Sequence, residues 1–363
     1  MCSRYCRDVG LHLYKFQWLW ESSIGIPVLS LLLSMLVISV MALFFGVHPW
    51  DILAALLEGG LKGKYALATT IKETVPLVLV SLSVFLPMRA GFFNIGGQGQ
   101  LEIGALAAVA VTLGIQGPPV FVISLALLAS IVASLIVVLI PLYLKLYRGV
   151  NEVTTSIMVS FACIKFVYAM ITGPMKAPRS WYSTTHAVPS QYTLPIFNLG
   201  IDLHIGTIVA IVLVLVVYWL MKSTSYGIKL AAVGYKQSVA EAAGISVNRV
   251  IIIAVLSGAA LAGLAGGIQV LGVSFRVADG WSKGWGFGAI PIAFLAGKNP
   301  LAIIPIAFLF AILETGARYM QFMTGVPASL IYVFQGLPVL IYVALNARRS
   351  IRPKKVDILI SAK

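Results

Sequence analysis

The chain has 363 residues, of which 60% are hydrophobic and only 10% are charged, and its mean hydropathy is +0.97. This composition excludes a soluble globular protein, whose surface needs more charge. The formal net charge of +14 would suggest nucleic acid as the partner of a soluble protein, but basic residues of membrane proteins collect at the cytoplasmic ends of their spans. We therefore predict an all-α polytopic membrane protein that contacts lipid and no nucleic acid.

About ten hydrophobic stretches have the length that a helix needs to cross a bilayer, roughly 20 residues each. The eighth is short and rich in glycine. The first is too long for a cleaved signal peptide and lacks a small-residue cleavage site, so we expect it to remain as an anchor. The stretches cover approximately residues 24–45, 66–88, 101–116, 120–146, 150–172, 205–221, 250–271, 285–297, 301–323 and 327–345.

Charge placement predicts the orientation. With both termini in the cytoplasm, about 17 of the 26 Lys and Arg residues fall on the cytoplasmic side, as the positive-inside rule requires. The predicted organisation is a cytoplasmic segment 1–23, a transmembrane domain 24–346 and a basic cytoplasmic tail 347–363. Between the first two spans, Pro49 followed by apolar residues at helical spacing predicts a short helix along the outer interface.

Residues 91–100 are the most informative stretch, because they place glycine and amide side chains between two apolar segments, with the sequence GFFNIGGQGQ. Non-helical backbone at this depth must be buried in protein or line a watery path. The structural interpretation is that glycines let helices cross closely. The functional interpretation adds that Asn94, Gln98 and Gln100 offer neutral donors and acceptors to a passing solute. We predict contact with the solute, and therefore transport.

Other polar residues within the spans are candidates for the same path, because a charge at a helix centre costs about 2.5–3.5 kcal/mol on translocon scales. Glu102 follows Gln98 by one helical turn. Glu73 is either a path residue or a scaffold residue that pairs with a cation such as the adjacent Lys72. Gln269 either lines the path or makes a hydrogen bond between helices.

Two further pairs favour structural interpretations. Glu314 and Arg318 have the i, i+4 spacing that places both on one face of the ninth span, which is typical of an internal ion pair. Trp281 and Trp285 flank the eighth span, and we interpret them as anchors at the membrane interface rather than as stacking partners for a base.

Two soluble-side segments complete the organisation. The longest outer connection, residues 173–204, either receives a soluble binding protein or covers the helices. The cytoplasmic loop 222–249 contains Ser238 and Glu241 at capping-box spacing, followed by Gly244, which can end a helix in the left-handed conformation. This predicts one short helix between two glycines, whose small side chains allow close approach of a partner.

These pieces together resemble permeases of the bacterial ABC importer superfamily for simple sugars, nucleosides and branched-chain amino acids, most closely the nucleoside branch. The matching pieces are GFFNIGGQGQ at 91–100, GVNEV at 149–153, AVG at 232–234 with AGI at 243–245, and GFGAIPIAFLAGKNP at 286–300. The resemblance implies the ABC importer permease fold and a multi-pass place in the cytoplasmic membrane. It also implies an outer substrate-binding lipoprotein, a second and different permease chain, and a cytoplasmic ATPase.

By the same resemblance, the ATPase engages the loop helix. The predicted coupling residues are Gly234, Ser238, Ala240, Glu241, Ala242 and Gly244. The chain itself has no P-loop, because the glycines and lysines of residues 59–65 have the wrong spacing and lack the hydroxyl. ATP is therefore expected to be hydrolysed by a separate subunit. We expect no cofactor in this chain, and no metal site, since its cysteines and histidines lack ligand spacing.

The predicted function is that of a non-enzymatic permease subunit, which forms the path for a nucleoside or another small neutral hydroxylated solute. A simple sugar or a riboflavin-like vitamin fits nearly as well. A proton-coupled secondary carrier that uses Glu73, Glu102 and Glu314 as a relay stays an alternative, although a solitary carrier does not need a docking helix. A membrane enzyme is disfavoured, because no nucleophile with a base, carboxylate dyad or metal cluster gathers in one region.

Overall fold

The computed structural model describes residue 37 and residues 43–178, 180–198 and 202–351. The predicted segment 1–23, most of the first span and the tail beyond residue 351 lie outside this part. The helices are α1 Pro49–Leu61, α2 Lys64–Arg89, α3 Gly97–Gly114, α4 Pro119–Arg148, α5 Glu152–Thr172, α6 Ile205–Ser223, α7 Ser225–Tyr235, α8 Gln237–Ala242, α9 Val247–Gln269, α10 Trp285–Ala296, α11 Ile303–Thr324 and α12 Ile331–Ile351.

Smaller elements connect these helices. A π-helical turn, Val270–Ser274, extends α9. The strands β1 Ile196–Asn198 and β2 Asp202–His204 form an antiparallel hairpin in the outer connection, with Phe197 opposite Leu203. Single 3₁₀ turns lie at Ser190–Tyr192, Pro300–Ala302 and Ala328–Leu330.

Six described helices are long and apolar enough to cross a membrane. They are α2, α4, α5, α6, α9 with its π-helical turn, and α11 with the 3₁₀ turn before it. The all-α class is confirmed, and α10 is short, as predicted. The total of ten spans and the orientation of the termini stay predictions.

The core is built around α2 and α9, whose apolar windows are 78% and 67% buried, compared with 22% for α4 and for α6. Residues 52–328 form one compact unit, and the packing described below lies within it. Glycines on α9 allow this packing: a methyl group on Gly258 would meet the Ser83 carbonyl of α2, and one on Gly266 would overlap the Leu101 carbonyl of α3. Backbones approach this closely only where side chains are missing.

The break between α2 and α3 lies inside the protein. A methyl group on Gly97, the first residue of α3, would lie 3.0 Å from the Val80 side chain. Val80 precedes the end of α2 by nine residues, which corresponds to ~13 Å along the helix axis. The connection after α2 therefore returns alongside that helix over this distance before α3 begins. Phe92 and Asn94 are buried on this return. Burial in protein, one of the two alternatives expected for this non-helical backbone, is thus observed at Phe92 and Asn94, whereas Phe93 is 39% exposed.

Candidate functional site: a buried polar network

The site is organised by residues 275–284, which we call the strap and which connect the π-helical turn to α10. The strap contains two non-glycine residues with positive φ, Phe275 at 54° and Lys283 at 47°. Such conformations cost about 1–3 kcal/mol each and persist only where surrounding contacts hold them. Strained backbone of this kind is a reason to look for a function nearby.

Glu102 is the centre of the network. Its Oε2 accepts a hydrogen bond from Trp281 Nε1 at 2.7 Å, and its Oε1 accepts from Ser282 Oγ at 2.6 Å and from Gln98 Nε2 at 3.2 Å. Gln98 and Glu102 lie one turn apart on α3, so both side chains face the strap. A carboxylate that is 6% exposed is thus surrounded by neutral donors.

Both polar atoms of the Gln98 side-chain amide make hydrogen bonds. Its Nε2 donates to Ser282 Oγ at 2.7 Å as well as to Glu102, and its Oε1 accepts from the Gly286 N–H at 2.7 Å. Gly286 has no room for a side chain, because a methyl group there would overlap the Gln98 backbone. The start of α10 is therefore held directly against the start of α3.

Glu73 of α2 forms the second half of the network. It pairs with Lys283, and its Oε2 accepts a hydrogen bond from Trp285 Nε1 at 2.9 Å. Trp285 is 2% exposed and its ring meets that of Trp281 edge-on at 5.7 Å. The interpretation of both tryptophans as interface anchors is wrong, because their indole N–H groups are donors to buried carboxylates.

The structure thus brings Glu73, Gln98 and Glu102 together and adds a set of strap residues that sequence reasoning missed. The set consists of Trp281, Ser282 and Lys283, with Trp285 at the start of α10. The available signal was a run of hydrogen-bonding side chains between Gly280 and Gly286, directly before a span too short to cross alone.

Asn94 and Gln100 have a different place. Asn94 Oδ1 accepts from the Gly96 N–H at 3.0 Å, and Asn94 Nδ2 donates to Gln100 Oε1 at 3.3 Å. Both side chains are buried. Their bonds close the turn that leads into α3, so these two predicted path residues hold the backbone on which Gln98 is presented.

Gln269 and Glu314 lie outside this hydrogen-bonded set. Gln269 is 2% exposed at the end of α9, and within the described chain its Oε1 has no hydrogen-bond partner. The same holds for Glu314 Oε2. The expected ion pair between Glu314 and Arg318 is wrong, since the ion pairs among the described residues are Lys62–Glu58, Lys145–Glu152 and Lys283–Glu73.

Aromatic rings flank the network along α10. Phe294 stacks on Phe93 with ring centroids 6.2 Å apart, and Phe287 meets Phe161 at 6.0 Å. Phe287 and Phe294 are seven residues apart and so share one face of the helix. Phe93 and Phe287 remain 39% and 37% exposed, and Phe287 directly follows Gly286, whose N–H donates to Gln98.

The predicted coupling loop folds as two helices instead of one. Gly234 lies within α7, and a methyl group there would overlap the carbonyl of Arg89 at the end of α2. The predicted capping box is wrong, because α8 begins at Gln237, before Ser238, and has no side-chain cap. Gly244 has a φ of 76° just beyond α8, as predicted.

Most of the predicted coupling residues are exposed, namely Gly234, Ser238, Glu241, Ala242 and Gly244. Ala240 is the exception: it is 2% exposed and faces the protein itself. Sequence reasoning missed three exposed apolar side chains of α7 and α8: Ile228, Tyr235 and Val239 are 71%, 89% and 55% exposed. Apolar surface on a polar segment is typical of a protein docking site.

The fold and these features define a multi-pass membrane transport protein, with a polar network among apolar helices and an exposed two-helix segment. Residues 66–343 match the family described as branched-chain amino acid transport system / permease component. The chain belongs to this family. It is an integral, multi-pass protein of the cytoplasmic membrane and a permease of the simple sugar and nucleoside ABC transporter superfamily, a transport component rather than an enzyme.

Relatives match nearly the whole chain. The glucose ABC transporter permease TsgB13 of Haloferax volcanii is 32% identical and covers 87% of this chain and 86% of its own length. The guanosine ABC transporter permease NupP of Bacillus subtilis is 28% identical, over 92% of this chain and 97% of its own. The nucleoside ABC transporter permease NupB of Lactococcus lactis is 28% identical, over 85% and 87%.

Proposed function

We propose that the chain forms the translocation path of an ATP-driven importer for a nucleoside or another small neutral hydroxylated solute. The buried network carries this proposal. Glu73 is paired with Lys283 and Glu102 is held by neutral donors, so these residues offer hydrogen-bonding groups to a neutral solute and no unpaired cation to an anionic one. Hydroxyl groups of a solute can replace these donors one at a time, which suits weak binding during passage.

The aromatic face of α10 supports a nucleoside in particular. The exposed ring of Phe287, which directly follows Gly286 of the network, can stack on a base, while the carboxylates accept from ribose hydroxyls. The names of two relatives, for guanosine and for nucleosides, favour the same substrate class. A simple sugar is the second candidate, because a glucose permease is 32% identical to this chain.

The energy source in this proposal is a separate ATPase subunit, and the chain needs no cofactor of its own. The exposed side chains of Ile228, Tyr235 and Val239 give that subunit an apolar surface on the cytoplasmic side. The remaining partners are a second, different permease chain and an outer substrate-binding lipoprotein. Together these parts make one importer.

Substrate choice is tested by uptake in proteoliposomes that contain the complete complex, the receptor and ATP. Labelled guanosine is offered with an excess of unlabelled nucleosides, glucose or riboflavin. We expect the nucleosides to suppress uptake and the other two to leave it unchanged. If no nucleoside is taken up or competes while glucose is accumulated, the nucleoside assignment is wrong and the sugar assignment replaces it.

A further inference from the structure

An apolar surface cleft lies at the carboxyl end of α4, away from the buried network. It has a volume of about 590 Å³ and is formed by the last turns of α4 together with one residue of α9. We call it the α4 cleft. Its lining is aliphatic except for two tyrosines and consists of Leu139, Ile140, Leu142, Tyr143, Leu144, Leu146, Tyr147 and Ile252.

The α4 cleft faces outward from the helix bundle. Its lining residues Leu139, Ile140, Tyr143 and Tyr147 are 50%, 51%, 52% and 72% exposed. The two tyrosine rings lie against each other, with centroids 5.0 Å apart. Tyrosine is enriched at the interface between membrane and water. In a protein that spans the membrane, the cleft therefore extends from the level of the lipid headgroups into the acyl chains.

The packing of α4 on α9 fixes their relative register. Ser134 Oγ donates to the Ala259 carbonyl at 2.6 Å. Four residues earlier on α4, the Ser130 carbonyl would be overlapped by a methyl group on Gly263. The two helices thus run antiparallel, and each residue further along α4 lies level with one residue earlier on α9.

This register places two arginines near the end of the cleft. Ile252 of the lining lies level with residue 141, and Arg249 lies level with Leu144. Arg148, the last residue of α4, is one turn beyond Leu144, or ~6 Å along the axis. Each arginine therefore follows a lining residue by about one turn towards the predicted cytoplasmic side, and both arginines are exposed.

The charge of these arginines is available to an outside anion. The nearby Lys145 already pairs with Glu152 at 2.7 Å. Within the described part of the chain, the ion pairs include neither Arg148 nor Arg249. A guanidinium group binds phosphate through two parallel N–H donors, so an apolar cleft beside two such groups matches a molecule with a phosphate and a long hydrocarbon chain.

We infer that the α4 cleft is a binding site for one anionic phospholipid, with an acyl chain against the apolar lining and the phosphate at Arg148 and Arg249. The lipid is the occupant that the surroundings supply, because the protein lies in the membrane and the exposed side chains of the cleft face that membrane. Juxtamembrane basic residues attract anionic headgroups, and the cleft adds a defined place for the chain. The inference does not depend on the solute that is transported.

The test uses the complete complex in nanodiscs of phosphatidylcholine and phosphatidylglycerol at a ratio of about four to one. A trace of either lipid carries a photoactivatable diazirine group in its acyl chain, and mass spectrometry of peptides measures the labelling of residues 139–147. We expect the phosphatidylglycerol probe to label this peptide about tenfold more than the phosphatidylcholine probe does at equal concentration. Added salt should reduce the preference.

Charge variants test the headgroup contact. Arg148→Gln and Arg249→Gln are each expected to lower the preference for phosphatidylglycerol about fivefold, the effect of one basic residue at an anionic membrane surface. Lys222→Gln is the matched control. Lys222 is an exposed cation at the end of α6 that lies over the ring of Tyr218, but it is outside the α4 cleft, so its variant should keep the full preference.

Steric variants test the acyl-chain contact. Ile140→Trp adds bulk inside the cleft at a position that is already 51% exposed, so it leaves the core packing intact. We expect it to lower labelling by both probes. Ile136→Trp is the control, because Ile136 lies one turn earlier on α4, is 61% exposed and does not line the cleft. Its labelling should match that of the wild type.

Equal labelling by the two probes, or an unchanged preference in both arginine variants, would mean that the cleft contacts bulk lipid only and would overturn the inference. Absence of labelling at residues 139–147 would overturn it as well. In that case a protein segment, either from the first span of this chain or from a second permease chain, covers the cleft. Because neither solute nor ATP is present in these measurements, such a failure leaves the proposed function standing.

Discussion

Glu102 shows how a single residue joins distant parts of the chain. Two of its three hydrogen-bond donors, Trp281 and Ser282, lie 179 and 180 positions away in the sequence, and the third, Gln98, lies four positions away. Hydrogen bonds to an ionised group in a weakly polar interior are stronger than those between neutral groups. The network therefore fixes the strap on α3, and in the proposed function the Glu102 carboxylate is the group that a solute contacts.

Replacing Glu102 by Gln tests this role. The new NH₂ group cannot accept from the indole or the hydroxyl, so at least one buried donor loses its partner, which costs about 1–3 kcal/mol. We expect ATP-driven uptake to fall by about tenfold or more, although the complex still assembles. The control is Glu58→Gln, at an exposed pair with Lys62 that contributes little. Equal uptake by both variants would remove Glu102 from the path.

His204 gives the molecule a pH dependence of known sign. It is fully buried before α6, and its Nδ1 accepts from the Gly206 N–H at 3.1 Å. Burial, with a smaller effect of the Lys72 charge, lowers the pKa of His204 to about 4. The histidine of an unfolded chain has a pKa near 6.5. The contribution of neutral His204 to the free energy of unfolding is therefore fully present above that pH and is lost as the pH falls towards 4.

At pH 5 this linkage amounts to a loss on the order of 2 kcal/mol relative to pH 8. The melting temperature of the detergent-solubilised protein should fall over this interval. His204→Asn keeps an acceptor for the Gly206 N–H and does not titrate, so its melting temperature should fall less. Parallel pH profiles of the two proteins would show that His204 is not the source.

For individual residues, sequence reasoning succeeded where the interacting partners are close in the chain. The spacing of Gln98 and Glu102 placed both on one face of α3, and the structure agrees. It failed for Trp281 and Trp285, because a tryptophan near the end of an apolar segment has the same local pattern whether it faces lipid headgroups or a buried carboxylate. Only the tertiary fold brings Glu73 to Trp285.

At the scale of elements, hydropathy was sufficient for the long helices and insufficient for α7. The sequence analysis predicted one short helix in the loop 222–249 and missed α7, which contains Gly227 and Gly234, although glycine weakens a helix by about 1 kcal/mol relative to alanine. In the folded chain a side chain at Gly227 would overlap the Met221 carbonyl, and one at Gly234 the Arg89 carbonyl. Close packing, rather than flexibility, explains both glycines.

The contact between α7 and α2 connects the exposed two-helix segment to the buried polar network. Arg89 is the last residue of α2, and the chain then passes through residues 90–96 to Gln98. The turn at Gly91 also lies beside the coupling segment, since a methyl group there would be 3.8 Å from Gln237 Nε2. We therefore expect a shift of α7 and α8 to be transmitted to the start of α3 through the connection of residues 90–96, in which Ala90, Phe92 and Asn94 are buried.

Gly234→Ala tests this connection. The added methyl group overlaps the Arg89 carbonyl and must displace α7 from α2. We expect solute-stimulated ATP hydrolysis to fall severalfold while the ATPase still copurifies, because the exposed surface of α8 is unchanged. Gly114→Ala is the matched control, since nothing lies within 4 Å of a methyl group at that helical glycine. Full stimulation in Gly234→Ala would contradict the connection.

Over the whole molecule, the network at Glu73 and Glu102 lies between two exposed surfaces. One is the open cleft lined in part by Trp181, Thr184 and Arg276, of which Arg276 belongs to the strap. The other is the segment of α7 and α8, which is connected to the network through the end of α2. Such an arrangement suits a path opened by partners on either side. The composition predicted a membrane protein and the motifs predicted its family. The contacts of the strap with Glu73 of α2 and Glu102 of α3, by contrast, depend on long-range packing.

The central claim is that this chain provides the path and a separate ATPase subunit provides the energy. The most direct measurement is uptake of labelled guanosine by proteoliposomes that contain either this chain alone or the complete complex, with ATP or with a pH gradient. The account predicts accumulation above the external concentration only for the complete complex with ATP. Accumulation by the chain alone, driven by the pH gradient, would contradict it and favour a proton-coupled carrier.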